Sequence, residues 1–167
     1  GGNTANTGFE FLTGNTMAFL PQGCVPYQQY IHGQTASVAS SLKSMGYRTI
    51  ALHPYLSTGW EREEVYKHFG FDAFYSQEDF NHPLIYRKYI SDQADVEKVI
   101  ELYEEDKDTP LFLFNVTMQN HSSYSDAFDN FIPQIEVEGS DSFALNQYLS
   151  LLRESDKALE QLVYYFE

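Results

Sequence analysis

Thr4 and Thr7 are the first side chains in this sequence that could do chemistry. They sit in Gly1-Gly2-Asn3-Thr4-Ala5-Asn6-Thr7, a turn of small residues. The turn runs straight into an apolar periodicity at Phe9, Leu12 and Met17. That layout puts a hydroxyl at or near a helix N-terminus, where the first backbone N–H groups have no partner and the helix dipole is positive. A phosphate or sulfate is favoured there, and a hydroxyl beside a cation is activated as a nucleophile. Thr, Asn and Gly are also ordinary cap residues, so the turn taken alone favours a structural role.

A second group of candidates lies further on. Gln119-Asn120-His121 follows an apolar run, and a histidine delivered by a strand end can act as acid, base or hydrogen-bonded structural residue. Trp60 and Arg62 stand two apart near a helix start; by type alone they read as a core indole and a solvated guanidinium. His53 ends another apolar run and fits either a supporting or a structural role. His32, His68 and His82 show no metal-ligand spacing with one another, and His68 reads as an ordinary helical residue. Glu61, Glu63 and Glu64 read as a solvated face. No Gly-x-Ser-x-Gly, P-loop or Gly-x-Gly-x-x-Gly pattern occurs.

The elements that must position these groups can be read in outline. Residues 4–19 read as a short helix broken by Gly14, and residues 23–33 as a loop. A helix over residues 35–45 has Thr35 to cap it and Gly46 to end it. Residues 47–52 form a short apolar run stopped by Pro54, the signature of a buried strand. Residues 60–69 read as a helix, residues 71–81 as a short mixed segment, and Asp92 as the cap of a strong amphipathic helix. Residues 111–117 give the clearest strand, apolar with little alternation, as in a parallel sheet covered on both faces. Residues 126–140 read as an excursion or lid. Residues 142–166 form a long helix with Leu145, Leu149, Leu152, Leu159, Leu162 and Val163 as its apolar face. Strands separated by helical crossovers predict an α/β fold, a parallel sheet flanked by helices, with its site at the C-terminal strand ends where His53 and His121 lie.

Several blocks together carry a resemblance. They are Gly2-Asn3-Thr4-Ala5-Asn6-Thr7 with Phe9-Glu10, Phe19-Leu20-Pro21, Pro26-Tyr27, Gly46-Tyr47-Arg48-Thr49, Trp60-Glu61-Arg62, Tyr66, Gly70-Phe71-Asp72 and residues 116–121. In these the chain resembles the lipoteichoic acid synthase-like branch of the sulfatase/alkaline phosphatase superfamily over nearly its whole length. The resemblance implies that residues 1–167 are a single, incomplete sulfatase-like (alkaline phosphatase-like) catalytic domain, lacking the first strand and the C-terminal part. It implies a phosphoglycerol transferase acting on phosphatidylglycerol-type phosphodiesters or a glycerolphosphate polymer. Thr4 would be the nucleophile and a metal ligand, His121 would contact the phosphate or leaving group, and Trp60 and Arg62 would line the glycerolphosphate pocket. The family's single Mn2+ or Mg2+ is otherwise held by an acidic residue on the first strand and an Asp-His pair on a later one. Thr4 is the one such ligand in this sequence, so the chain alone is expected to bind no metal and to be inactive. A sulfatase proper would carry Cys or Ser at the nucleophile. Two departures are visible: Gly8 replaces a larger acidic residue, and Tyr55 stands where polymer-making members have an acidic residue. The resemblance also implies a parent protein in the bacterial cell membrane with an extracellular catalytic domain. The alternatives are a phosphodiesterase or sulfatase-type hydrolase, or a non-catalytic binding module of the same fold.

Composition bounds the partners. Ten Lys and Arg against 24 Asp and Glu give a net charge of −14, which argues against nucleic acid and anionic membrane surfaces. Hydrophobic content of 43% and aromatic content of 16% argue for a folded core. The single cysteine, Cys24, permits no internal disulfide. A sheet short of neighbours is expected to expose edges that invite self-association.

Overall fold

The central strand is β1, Arg48–Leu52, and its sequence explains its place. Thr49, Ile50, Ala51 and Leu52 are all buried, so both faces of the strand are covered. The structure, a computed structural model, describes residues 3–167; Gly1 and Gly2 of the opening turn lie outside the described residues. β2 (Ala73–Tyr75) and β5 (Leu111–Asn115) flank β1 in the order β2-β1-β5, and both pairings are parallel. The register sets Ile50 opposite Ala73 and Leu113, and Leu52 opposite Tyr75 and Asn115.

Period-two alternation along β1 divides the core. Ala51 faces a cluster built by α1 (Thr4–Thr13), α2 (Pro26–Gln29), α3 (Val38–Ser44) and α4 (Arg62–His68), with Phe9, Leu12, Tyr27, Ala39, Val65, Tyr66 and Phe69 at its centre. Ile50 and Leu52 face the other way, toward Leu102 and Val99 of α5 (Asp92–Glu104). The long α6 (Phe143–Phe166) packs on α5. A small antiparallel hairpin, β3 (Ile85–Tyr86) and β4 (Tyr89–Ile90), precedes α5.

The α/β class and parallel sheet expected from the sequence are present, but several boundaries moved for identifiable reasons. α1 stops at Thr13 because Gly14 takes a left-handed conformation, φ 68°, and closes the helix onto Glu10 O; a 3-10 turn over Met17–Phe19 follows. The expected loop over 23–33 contains α2, started by Pro26 at its first turn. Ser37, not Thr35, caps α3, through a reciprocal box with Ser40. Ser91, not Asp92, caps α5 by accepting from the Ala94 N–H, which leaves Asp92 buried in the first turn. The mixed segment 71–81 holds β2, and the β3–β4 hairpin was missed because strands of two residues carry no readable period.

Two corrections concern burial. β5 has packing on both faces, Phe112 and Phe114 against one cluster and Leu111 and Leu113 against the other, but it forms an edge of the sheet among the described residues and every residue in it is only half-buried. The predicted apolar face of α6 is also not its contact face. Leu145, Leu152, Leu159 and Val163 are exposed, while Gln147, Ser150, Leu151 and Ala158 are buried. The reason is the excursion before α6, whose backbone needs partners. Ser150 Oγ accepts from the N–H groups of Gln134 and Ile135, both at 2.9 Å, and Gln147 Nε2 donates to the carbonyls of Tyr124 and Asp126 at 2.6 and 3.0 Å.

Candidate active site

The C-terminal ends of β1 and β5 and the start of α1 enclose a cavity of about 320 Å³. Thr4, Trp60, Arg62 and His121 all line it, joined by His53, Tyr55 and Asn120. Four candidates, as far apart in sequence as Thr4 and His121, are thereby brought together. A larger hollow of about 810 Å³ beside residues 136–146 is acidic and carries no imidazole or cation.

Thr4 is the first residue of α1 and is exposed to the cavity. Asn3 before it is left-handed, φ 60°, and gives no side-chain cap. The hydroxyl of Thr4 makes no hydrogen bond among the described residues, whereas Asn3 O accepts from the Asn6 N–H at 2.8 Å. Thr7 faces a neighbouring apolar trough between α1 and β5 instead. Gly8 has a packing reason: a Cβ there would sit 2.4 Å from the Tyr27 Oη, which is buried under the helix. Burial, and then the neighbouring Tyr66, push that phenol above its usual range.

The expectation of a core tryptophan and a solvated arginine is reversed. Trp60 is 37% exposed and Arg62 only 4%. Trp60 and Glu61 are both left-handed, at φ 58° and 57°, and this double kink turns the indole out while α4 begins at Arg62. Arg62 Nη1 donates to Gly59 O at 3.1 Å, and no carboxylate pairs with it among the described residues. A buried guanidinium without a counter-ion is costly, so this cavity carries a standing preference for an anion.

His53, unassigned from sequence, is the buried imidazole of the site, 3% exposed. Its Nδ1 lies 2.6 Å from Val116 O, which places the proton on Nδ1 and the lone pair on Nε2. Burial first, and the Arg62 cation second, pull its pKa down to about 4, so the ring is neutral near pH 7. Its position immediately after β1 was the only sequence signal for it. Tyr55 sets its ring edge to His53 at 6.2 Å and to Tyr89 at 5.8 Å, and Tyr89 in turn meets His121 at 5.8 Å.

His121 is exposed at the cavity rim, with Nδ1 2.9 Å from Ser122 O and 3.5 Å from Tyr89 Oη. The residues before it anchor its loop. Gln119 is fully buried; its Oε1 accepts from the Asp92 N–H at 2.9 Å and its Nε2 donates to Leu151 O at 3.0 Å. Asn120 Nδ2 donates to Ser155 Oγ at 2.7 Å, and that hydroxyl donates to Asp92 Oδ2 at 2.5 Å. The loop is thus tied to the start of α5 and to the middle of α6 by side chains of fixed type.

The residues lining the cavity that could donate to a cation carry the hydroxyls of Thr4, Tyr55 and Thr117, the Asn120 amide and two imidazoles, with no carboxylate. Among the described residues no cluster of His, Cys, Asp and Glu fits a metal ion. Hard cations such as Mn2+ and Mg2+ require several oxygen ligands, so these residues by themselves do not fit one.

The sulfatase family profile matches residues 1–167. The chain belongs to the sulfatase family. A putative cyclic beta-1,2-glucan modification protein of Rhizobium meliloti (strain 1021) is 40% identical over 98% of this chain and 26% of its own length. The solved lipoteichoic acid synthase LtaP of Listeria monocytogenes superposes with a TM-score of 0.85 at 20% identity, over 99% of this chain and 40% of its own. The Streptococcus pyogenes phosphoglycerol transferase GacH, solved with sn-glycerol-1-phosphate, gives 0.81 at 22% identity, over 99% of this chain and 45% of its own. These likenesses establish a shared fold of the alkaline phosphatase-like type. The chain spans about a quarter of its curated relative and less than half of either solved structure, so it corresponds to part of the sulfatase fold.

Proposed function

We propose that this chain is the part of a phosphoglycerol transferase that holds the nucleophile and the phosphate-binding arginine. The observation that carries this reading is the buried, unpaired Arg62 guanidinium in the same cavity as the free hydroxyl of Thr4. An arginine in that state suits a phosphodiester, whose oxygens it can engage by two N–H groups at once. The Thr4 oxygen attacks phosphorus and gives up its proton to solvent at the open cavity mouth, and a phosphoglycerol-threonine ester forms as the P–O bond to the original ester oxygen breaks. His121 donates a proton to that leaving oxygen, and the exposed Trp60 indole provides an apolar wall for the glycerol. His53, kept neutral, donates through Nδ1 to the β5 connection and fixes the wall between the two strand ends. A Mn2+ or Mg2+ ion beside Thr4, with carboxylate ligands from outside this chain, belongs to the same proposal.

The donor in this reading is phosphatidylglycerol, in a parent protein held at the bacterial cell membrane with this domain outside. Among the described residues no helix is long and apolar enough to cross a membrane. For the acceptor, a glycan hydroxyl is favoured over a growing glycerolphosphate polymer. Tyr55 lines the cavity where polymer-making members have an acidic residue, and the 40% identical relative is named for modification of a glucan.

The test uses the parent enzyme and vesicles containing phosphatidylglycerol. The peptide bearing Thr4 is expected to gain the mass of glycerophosphate on brief incubation, and Thr4→Ala is expected to remove both adduct and turnover. Turnover with the adduct on Thr7, or turnover that survives Thr4→Ala, would sink the assignment.

A further inference from the structure

Arg87 is the least expected residue of the hairpin between β3 and β4. It is one of two turn residues, it is left-handed at φ 57°, and it is nevertheless 4% exposed. A bulky residue is costly in that conformation, where Gly or Asn is usual in a hairpin turn, and such strain persists where the side chain has a job. Its side chain supplies the reason. Arg87 Nη1 donates to Ser123 O at 2.6 Å, and Nη2 donates to Gln119 O at 2.6 Å and His121 O at 2.9 Å. The guanidinium lies 5.6 Å from the centre of the Tyr89 ring and 5.2 Å from that of Tyr124. No carboxylate pairs with it among the described residues, although the chain carries 24 acidic residues.

Three alternate carbonyls of a five-residue loop therefore converge on one buried cation, and the middle one belongs to His121. Carbonyls at the loop's ends and centre can share a guanidinium only in one backbone conformation, because its N–H groups form a rigid planar fork. The hairpin is itself pinned, since Asn130 Nδ2 donates to Ile85 O at 3.1 Å and to Arg87 O at 3.0 Å. The next hairpin residue but one, Tyr89, sets its ring edge against the His121 imidazole from the other side.

We propose that Arg87 is a positioning residue for His121: it fixes the backbone of residues 119–123 so that the imidazole stands at the cavity rim. The catalytic part of this inference rests on the role given to His121 above; the positioning part does not. Arg87 does not itself line the cavity, and reaches the site through the backbone of the loop.

Arg87→Lys tests it, since lysine keeps the cation but cannot span three carbonyls. In the parent enzyme on phosphatidylglycerol vesicles, Arg87→Lys is expected to lower kcat by about tenfold to a hundredfold, as a misplaced catalytic group does, with little change in KM. A double-mutant cycle then decides the route. Placed in a His121→Ala background, Arg87→Lys is expected to cost little further rate, because the group it positions is gone. Losses that multiply in the double variant would overturn the inference. The His121 ring resonances in the NMR spectrum supply an arm independent of rate: Arg87→Lys is expected to shift and broaden them while those of His53 stay in place. If His121→Ala alone leaves turnover intact, the catalytic reading of His121 falls. The NMR arm then still decides positioning, and unchanged His121 resonances reject it.

Discussion

The two buried titratable groups near the strand ends, His53 and Asp95, are shifted in opposite senses and make the pH response of stability readable. Asp95 of α5 is fully buried and receives the Asn115 amide. Burial, partly offset by that hydrogen bond and reinforced by Asp92, raises its pKa to about 7. The folded state then holds a proton that the unfolded state loses, so its contribution falls with rising pH from about 4 to about 7, by up to about 1.4 kcal/mol per unit. His53, with its pKa lowered to about 4, works the other way. Its contribution is complete above an unfolded value near 6.5 and is lost as pH falls toward about 4. The two slopes oppose each other over most of this range. Asp95→Asn removes one of them, so stability measured by urea unfolding is expected to rise with pH between about 4 and 6.5 in that variant relative to the parent chain. An unchanged profile would mean that Asp95 is ionised in the folded protein. At the site itself, Arg62→Ala is expected to raise KM for the phosphodiester by at least about tenfold, the loss of a charge-assisted pair of hydrogen bonds, measured by initial rates in the parent enzyme. The type and spacing of Trp60 and Arg62 were legible in the sequence. Which of them is buried was not, because the left-handed pair Trp60-Glu61 decides it and neither residue advertises that conformation.

At the level of elements, α1 is placed by the contact of Gly8 with Tyr27. Alanine ordinarily strengthens a helix over glycine by about 1 kcal/mol. Here the added methyl would meet the Tyr27 Oη at 2.4 Å, in a core where Tyr27 also packs edge-on against Tyr66 and Phe69. Gly8→Ala is therefore expected to destabilise the protein by about 1–3 kcal/mol and to shift Thr4 with the helix. Thermal melting and the rate of Thr4 adduct formation would both report it; a gain in melting temperature would show that α1 can slide away at no cost. The α6 helix teaches the opposite lesson. Its leucine periodicity is real, yet the buried face is the one set by Gln147, Ser150, Leu151 and Ala158, where α6 packs on α5 and where Gln147 and Ser150 supply hydrogen-bond partners to the preceding excursion.

For the molecule as a whole, the open side of β5 is a surface without a strand partner among the described residues. Phe11 is 56% exposed and stacks on Phe114 at 5.6 Å beside a strand paired on one side only. Unpaired strand edges with apolar flanks recruit further strands. The isolated chain is therefore expected to self-associate with rising concentration, and Phe11→Lys to suppress this, as measured by sedimentation velocity. A monomer at every concentration would remove that expectation. Calorimetric titration with Mn2+ addresses the same incompleteness from the chemical side. On the proposed reading, a longer protein that supplies carboxylate ligands beside Thr4 is expected to bind one ion, and this chain alone none. Tight binding to the chain alone would relocate the metal to groups such as His53 and His121.

The sequence by itself determined the layers. Apolar runs at residues 48–52 and 111–115, separated by helical periodicity, are sufficient for a parallel sheet, because only crossover helices join parallel strands. It also determined the small residues and hydroxyl at the start of α1 and the histidines at the strand ends. The tertiary structure decided what those residues meet. It buried Arg62 without a carboxylate partner among the described residues, made His53 a neutral member of the cavity wall, and set Arg87 under the His121 loop. Each of these depends on contacts between segments more than 30 residues apart or on a left-handed backbone at a non-glycine residue. Local pattern carries no signal for either, since the energy that holds them comes from packing and hydrogen bonds made only after the chain has closed.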